Sequence, residues 1–256
     1  MSQTQSPVIW YELMTTDQDA AGRFYSDVVP WKIDGKAAGD MDYRMVSATD
    51  GPVGGTMTLP PGALEMGMRP GWFFYVSVPD VDAAAAKIVA AGGAQHMPAT
   101  DVPGVGRFAF VADPQGASFY VMTPIGVGPS TSHNPAAVGH GAWHELHTSD
   151  GAAAFGFYAA QLGWAEDGIF DMGPMGAYRL FKIGDVQSGG MMTDKDAPHP
   201  YWAIYFHVDD IDAAARRVTA AGGSILFGPS EVPGGGWIIN AMDPQGAMFS
   251  VTGPRV

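Results

Sequence analysis

Runs in which apolar side chains alternate with polar ones give way, at an aspartate, to stretches with helical spacing. "VIWYELMTTDQDAAGRFYSDV" (8 to 28) and "FFYVSVPDVDAAAAKIVAAGG" (73 to 93) both have this form. Each is predicted as a strand, a cap and a helix. Asp17 and Asp80 suit the cap, because a carboxylate there accepts hydrogen bonds from the free amides of the first helical turn. Gly92 and Gly93 supply a stop. Short β-type runs follow each helix, "DYRMVSA" and "VGGTMTL" after the first, "GRFAFVAD" and "ASFYVMT" after the second. "DPQG" before the last run is a turn, with Asp opening it, Pro fixing φ and Gly closing it. The unit predicted is βαβββ. Its helix covers one face of the strands and leaves the other to line something.

The pattern repeats. "WYELMTTD" at 10 to 17 returns as "WHELHTSD" at 143 to 150, an offset of 133, and "FYSDVVPW" (24 to 31) meets "FYAAQLGW" (157 to 164) at the same offset. "VPDVDAAAAKIVAAGG" (78 to 93) meets "VDDIDAAARRVTAAGG" (208 to 223) at 130, and "DPQGASFYV" (113 to 121) meets "DPQGAMFSV" (243 to 251) in that register. The second copy has lost a net three residues in its middle. A duplicated domain of roughly 125 residues explains this, with two βαβββ modules per copy and four in all. The predicted division is a first domain at 1–128, a linker rich in Gly, Pro and Ser at 129–142, and a second domain at 143–256.

Composition narrows the partners. Of 256 residues, 46% are apolar and 15% charged, enough to bury a core in each domain. The net charge of −13 is shared, with 7 basic and 13 acidic residues up to Gly128 and 6 and 13 after it, so neither half suits a nucleic acid. There is no cysteine, which excludes disulfides, thiolate nucleophiles and zinc–thiolate sites and fits a reducing cytoplasm. "MSQTQSPVIW" lacks the features of a signal peptide, and no run is long enough to span a membrane. The expected partner is a small molecule, and the expected protein is a cytoplasmic monomer or homodimer.

The four modules, the strand-to-Asp-to-helix starts, the "FY…GW" helix exits and the "DPQG" turns resemble the vicinal oxygen chelate superfamily, which includes glyoxalase I, the bleomycin-resistance proteins and the extradiol dioxygenases. "WxEL" and "DPQGA" look closest to a tandem, hydroxylase-like bacterial branch. The resemblance implies an α+β fold in which four βαβββ modules form two tandem glyoxalase-like, incurved eight-stranded cups with helices on the outer face. It also implies a divalent metal on His, Gln or Glu from the first and last strands of each module. Here those positions fall on Trp10 and near Phe73 in first strands, and near Met57 and on Tyr120 in last strands. In the second copy they are Trp143, Met191, Ala203 and Ser250. None is a good ligand for such an ion, so the family's usual metal is not expected.

Strand alternation places Trp10, Glu12 and Met14 on one face, and Trp143, Glu145 and His147 on the matching face of the second copy. A carboxylate among aromatic and Met side chains is desolvated, which suits it to act as a general base or to pair with a cationic ligand. It can equally accept local hydrogen bonds and fix its strand. Ala203, Tyr205 and His207 share a face, so Glu145, His147 and His207 are the candidate catalytic residues. If the three converge they form either an acid–base group or a displaced two-His, one-carboxylate site for a divalent metal in the second domain. If the modules pair otherwise, they do not meet. His144 is expected to face the helices or solvent, and His96, His133, His140 and His199 are assigned no role. The candidate ligand-binding residues are Trp10, Glu12, Phe73, Tyr75, Tyr120, Trp143 and Tyr205. Two functions compete, ahead of a third in which side chains fill the cups and the protein is a non-catalytic interaction protein. One is binding of an aromatic, carbonyl or cationic small molecule without metal or other cofactor. The other is a lyase, isomerase or hydroxylase reaction on a small carbonyl or aromatic substrate. "VPGVGR" and "VPGGGW" are read as loops over a cup mouth or as plain hairpin connections.

Overall fold

The computed structural model describes residues 5–36, 42–126 and 128–256. The start of the N-terminal stretch, and Val127 ahead of the linker-like stretch, lie outside the described residues. The first module runs β1 (Val8–Thr15), α1 (Gln18–Val28), β2 (Lys32–Ile33), β3 (Arg44–Ala48) and β4 (Gly51–Thr58). The second runs β5 (Gly71–Ser77), α2 (Val81–Ala90), β6 (Ala94–Val102), β7 (Gly106–Ala112) and β8 (Ser118–Pro124). The third runs β9 (Gly141–Thr148), α3 (Gly151–Leu162), β10 (Ala165–Asp171), β11 (Ala177–Ile183) and β12 (Val186–Thr193). The fourth runs β13 (Tyr201–His207), α4 (Ile211–Ala220), β14 (Ser224–Glu231), β15 (Trp237–Met242) and β16 (Met248–Gly253). The chain is thus an α+β protein of four βαβββ modules.

Each module has the strand order first, fourth, third, second. The first and fourth strands pair in parallel and the rest antiparallel. A parallel pair requires a long crossover, and the helix with its two following strands supplies it. An aspartate caps each helix. Asp17 accepts from the amide of Ala20, Asp80 from Ala83, Asp150 from Ala152 and Ala153, and Asp210 from Asp212. The Gly-rich stretches after Val102 and Val232 are tight hairpin connections, closed by bonds such as Val105 N to Val102 O and Gly235 N to Val232 O.

The backbone gathers into two compact units. One comprises the chain up to Ile9, Phe74–Ser130 and Trp143–Ala203; the other Trp10–Phe73, Thr131–Ala142 and Ile204–Val256. The second module therefore shares a unit with the third, and the first with the fourth. Two of the repeated motifs make these pairings. In "DPQG", one oxygen of Asp113 accepts from the amides of Gln115, Gly116 and Ala117, and the other accepts from Tyr158 Oη at 3.1 Å, the Tyr of "FY" on α3. In the other unit Asp243 holds its own turn in the same way and accepts from Tyr25 Oη, also at 3.1 Å. Burial pushes both carboxyls up from the usual range, and the turn amides and the tyrosine oppose that rise.

Aromatic side chains fill both cores. Tyr158, Trp164, Phe181 and Trp202 pack in one, with Trp164 stacked on Phe181 at 4.6 Å; Tyr25, Trp31, Trp72, Phe206 and Phe249 pack in the other. Each such pair adds about 0.5–1.5 kcal/mol beyond its buried area. The linker-like residues are packed too. Trp31 Nε1 donates to Gly139 O at 2.6 Å, and the buried His140 places its ring nitrogens 2.6 Å from Thr131 O and 2.8 Å from Asp50 Oδ1.

Candidate acid–base site in the third module

Burial along β9 alternates. His144, Leu146 and Thr148 are fully buried, while Trp143, Glu145 and His147 on the opposite face are partly so. Beside them runs β12, with His147 opposite Met192 and Glu145 opposite Gly190. Gly190 has a steric purpose. A Cβ there would overlap the ring of Tyr178 from β11, so the bare backbone lets that ring lie flat on the strand.

The flattened Tyr178 starts a chain of hydrogen bonds. Trp143 Nε1 donates to Tyr178 Oη at 2.8 Å, and Tyr178 Oη donates to Glu145 Oε2 at 2.7 Å. The other Glu145 oxygen, Oε1, lies 2.9 Å from His147 Nε2, and His147 Nδ1 lies 2.8 Å from Asp194 Oδ2. Asp194 is pinned in turn, since its Oδ1 accepts from the amides of Asp196 and Ala197 in the turn after β12. Tyr201 stacks on the imidazole, centroids 4.7 Å apart and planes 3° from parallel.

Both ring nitrogens of His147 face carboxylate oxygens, so the arrangement fits an imidazolium between two anions. Burial alone would lower the histidine's affinity for a proton. Glu145 and Asp194 outweigh that and hold it above the ordinary imidazole range. The same imidazolium draws Asp194 below the usual carboxylate range. Burial, with the charges of Asp194 and Glu145 behind it, pushes the Tyr201 hydroxyl up to about 12. The end of this chain borders a cavity of about 270 Å³ lined by Thr148, Ser149, Asp194, Lys195, Ala197 and Pro200.

The first module keeps half of this design. Trp10 Nε1 donates to Tyr43 Oη at 2.7 Å, Gly55 leaves the room for that tyrosine, and Glu12 is buried on the same strand. In place of the charged pair stands an apolar one. Met14, opposite Met57 as His147 is opposite Met192, packs with Leu59 and Ala63, flanked by Met57, Met68 and Phe73. Leu59 corresponds to Asp194, for the amide of Leu59 donates to Thr15 O and that of Asp194 to Thr148 O, both at 2.8 Å.

The other predicted residues fall in two groups. On β5 and β8, Phe74, Val76, Phe119 and Val121 are fully buried on one face, and Tyr75 and Tyr120 lie on the other, stacked at 4.3 Å and 6°. Tyr120 continues onto Phe110 at 4.6 Å and Phe108 at 5.9 Å, an aromatic ladder across three strands. Tyr205 is buried in the fourth module with its hydroxyl 3.4 Å from Asn240 Oδ1.

His207 stands apart in the grouping of the backbone. It belongs to the other compact unit from Glu145 and His147, and the linker-like segment occupies it: its amide donates to His140 O, its carbonyl accepts from Gly139, and its Nδ1 lies 2.7 Å from Pro135 O. His144 is buried, its Nδ1 2.9 Å from Ser188 O and its ring edge-on to Phe74. Sequence reasoning missed Tyr43, Tyr178, Asp194 and Tyr201. The doublets "VGG" (53 to 55) and "SGG" (188 to 190) were the available signal for the two flattened tyrosines.

The residues at the family's metal positions do not suit a divalent ion. Trp143 and Trp10 spend their only indole hydrogen on a tyrosine, Met57 packs in an apolar cluster and Tyr120 stacks on Tyr75. His147 has a carboxylate against each nitrogen. Among the described residues, no three His, Cys, Asp or Glu are grouped to hold a metal ion.

Comparison with known proteins places this geometry in a family. "Putative glyoxylase CFP32" of Mycobacterium tuberculosis is 37% identical over 252 residues, covering 96% of this chain and 94% of that one. "Anthracycline biosynthesis protein DauV" of a Streptomyces species is 34% identical over 259 residues, covering 94% and 91%. Among solved structures, a Mn(II)-bound glyoxalase from Novosphingobium aromaticivorans matches with a TM-score of 0.65 at 17% identity, covering 98% of this chain and 82% of that one. The 2,3-dioxygenase LapB from Pseudomonas sp. KL28 matches at 0.61 and 15%, covering 98% and 92%; both likenesses are of fold. The family model matches twice, at residues 8–121 and 138–251, and the chain belongs to the Glyoxalase/Bleomycin resistance protein/Dioxygenase superfamily.

Proposed function

We propose that this chain binds a small organic molecule with a flat aromatic portion, in the cytoplasm, by a route that calls on no metal. The observation that carries the reading is the ladder of Tyr75, Tyr120, Phe110 and Phe108, with Tyr75 and Tyr120 on the strand face opposite the fully buried Phe74, Val76, Phe119 and Val121. Phe108 and Phe110 are part-exposed and give a planar ligand rings to stack on, while the buried pair Tyr75 and Tyr120 holds them in place. The relative named for anthracycline biosynthesis, whose name points to a planar polycyclic compound, supports the same ligand class. The test is tryptophan-fluorescence titration with a graded set of flat quinones and carbonyl aromatics, on wild type and Phe110→Ala. Saturable binding weakened about tenfold or more in the variant, the range expected for losing one ring contact, is the expected result. Equal binding by both proteins would remove the ladder from the site.

A second reading, an acid–base enzyme of the lyase or isomerase kind, is favoured by one observation, the Asp194–His147–Glu145–Tyr178 chain. In it Glu145 accepts a proton or His147 donates one to a bound molecule. Loss of turnover in Glu145→Gln with binding retained would support it. A variant as active as wild type would exclude it.

A further inference from the structure

We infer that Asp194 is a positioning residue, fixing the plane and protonation of the His147 ring so that its Nε2–H bears on Glu145, and that this relay is a feature of the second repeat alone. The inference rests on the acid–base reading of the third module and adds to it the residue that arms the pair.

Matching backbone contacts identify the change between the repeats. Leu59 and Asp194 make the same amide bond to the end of the first strand, and Met14 and His147 occupy the same register against the fourth. Between the repeats, an apolar pair has become a charged one at both places. Asp194 beside a Met at 147 would be a partly buried carboxylate with no cation to face, which is unfavourable, whereas His147 without Asp194 would keep Glu145 alone. The His147 and Asp194 side chains are only 12% and 24% exposed.

The connecting chain has changed with them. Thirteen residues lead from Leu59 to the buried Trp72, and eight lead from Asp194 to the buried Trp202. The longer connection folds back as a set of turns that lay Ala63 and Met68 around Met14. The shorter one turns at once on Asp194, whose Oδ1 takes two amides, and brings Tyr201 flat onto His147. Asp194 is therefore held from behind while its Oδ2 faces Nδ1. This is how a carboxylate selects the orientation and proton placement of an imidazole whose other nitrogen faces the chemistry. The groups that face His147 are Glu145 on its own strand, Asp194 after β12 and Tyr201 on β13, and Tyr178 on β11 reaches it through Glu145.

Long-range proton–nitrogen NMR of the full chain labelled with 15N-histidine tests the inference, with the His147 signals assigned by their loss in His147→Met/Asp194→Leu. That double variant restores the first repeat's own apolar pair and so keeps a folded reference. In wild type both His147 nitrogens are expected to carry protons at neutral pH. In Asp194→Asn the midpoint is expected to fall by about one pH unit or more, as for loss of one adjacent charge, and a neutral tautomer to appear. Asp194→Glu, which keeps the charge, is expected to return the midpoint toward wild type. An unchanged midpoint and tautomer in Asp194→Asn would overturn the positioning role. Failure of the acid–base reading shows separately, as Glu145→Gln turning over compounds as well as wild type while the His147 signals still respond to Asp194.

Discussion

His147 Nδ1 and Asp194 Oδ2 lie 2.8 Å apart in the third module, where the first module sets Met14 against Leu59. The neighbouring Trp–Tyr contact is present in both repeats, and a glutamate is kept at the same place on both strands. At this place the repeats differ in that pair of side chains, in Tyr201 where the first repeat has Gly71, and in the length of the connection behind them.

The pair makes a pH-dependent contribution to stability. His147 is held above the unfolded imidazole value of about 6.5, so its contribution is complete below that pH and is lost as pH rises through the raised folded value. Asp194 is held below the unfolded value of about 3.9, so its contribution is present above that pH and is lost as pH falls through the lowered one. The melting temperature of wild type minus that of His147→Met/Asp194→Leu should be most favourable to wild type between these limits. It should decline on the alkaline side first. Thermal melts from pH 4 to 9 check this, and a difference flat across the range would contradict it.

Gly55→Ala and Gly190→Ala should each destabilise by about 1–3 kcal/mol, the usual cost of overpacking, because the new Cβ would meet the Tyr43 or Tyr178 ring. Gly156→Ala, at an exposed place inside α3 with open space around it, should instead stabilise by about 0.5–1 kcal/mol. Urea denaturation of the three variants measures the contrast.

Tyr158→Phe should cost about 1–3 kcal/mol, the range for leaving buried polar partners short of a bond. The hydroxyl accepts from Trp202 Nε1 at 3.1 Å and donates to the mostly buried Asp113 at 3.1 Å. Chemical denaturation gives the loss directly. Less than about 0.5 kcal/mol, well under that range, would mean that the turn amides alone satisfy Asp113.

Tyr201→Leu should remove the stack on His147 while leaving both carboxylates in place. Reactivity of His147 toward diethyl pyrocarbonate, read by mass spectrometry at pH 7, should rise as the ring loses its cover. An unchanged rate would show that the carboxylates alone protect it.

Much of the fold was legible because its signals are local. The capping aspartates, the alternating strands and the "DPQG" turns each depend on neighbours a few residues away, and the repeat doubled every one of them. The face of Glu145 and His147 was legible by parity. Asp194 was not, because "TDKDAPHPYW" has no period and its match to Leu59 is visible only once both backbones reach the end of the first strand. The partners of His207 were not legible either, since nothing in "HNPAAVGHG" announces that a Gly- and Pro-rich stretch will pair with a strand.

The way the modules are shared out has a consequence for anyone who would cut the gene in two at its point of symmetry. The severed halves would each carry one tyrosine and one aspartate from these handshakes, Tyr25 with Asp113 or Tyr158 with Asp243, and in neither half are those two partners. The duplication that wrote the sequence as two equal sentences left their rhymes crossed.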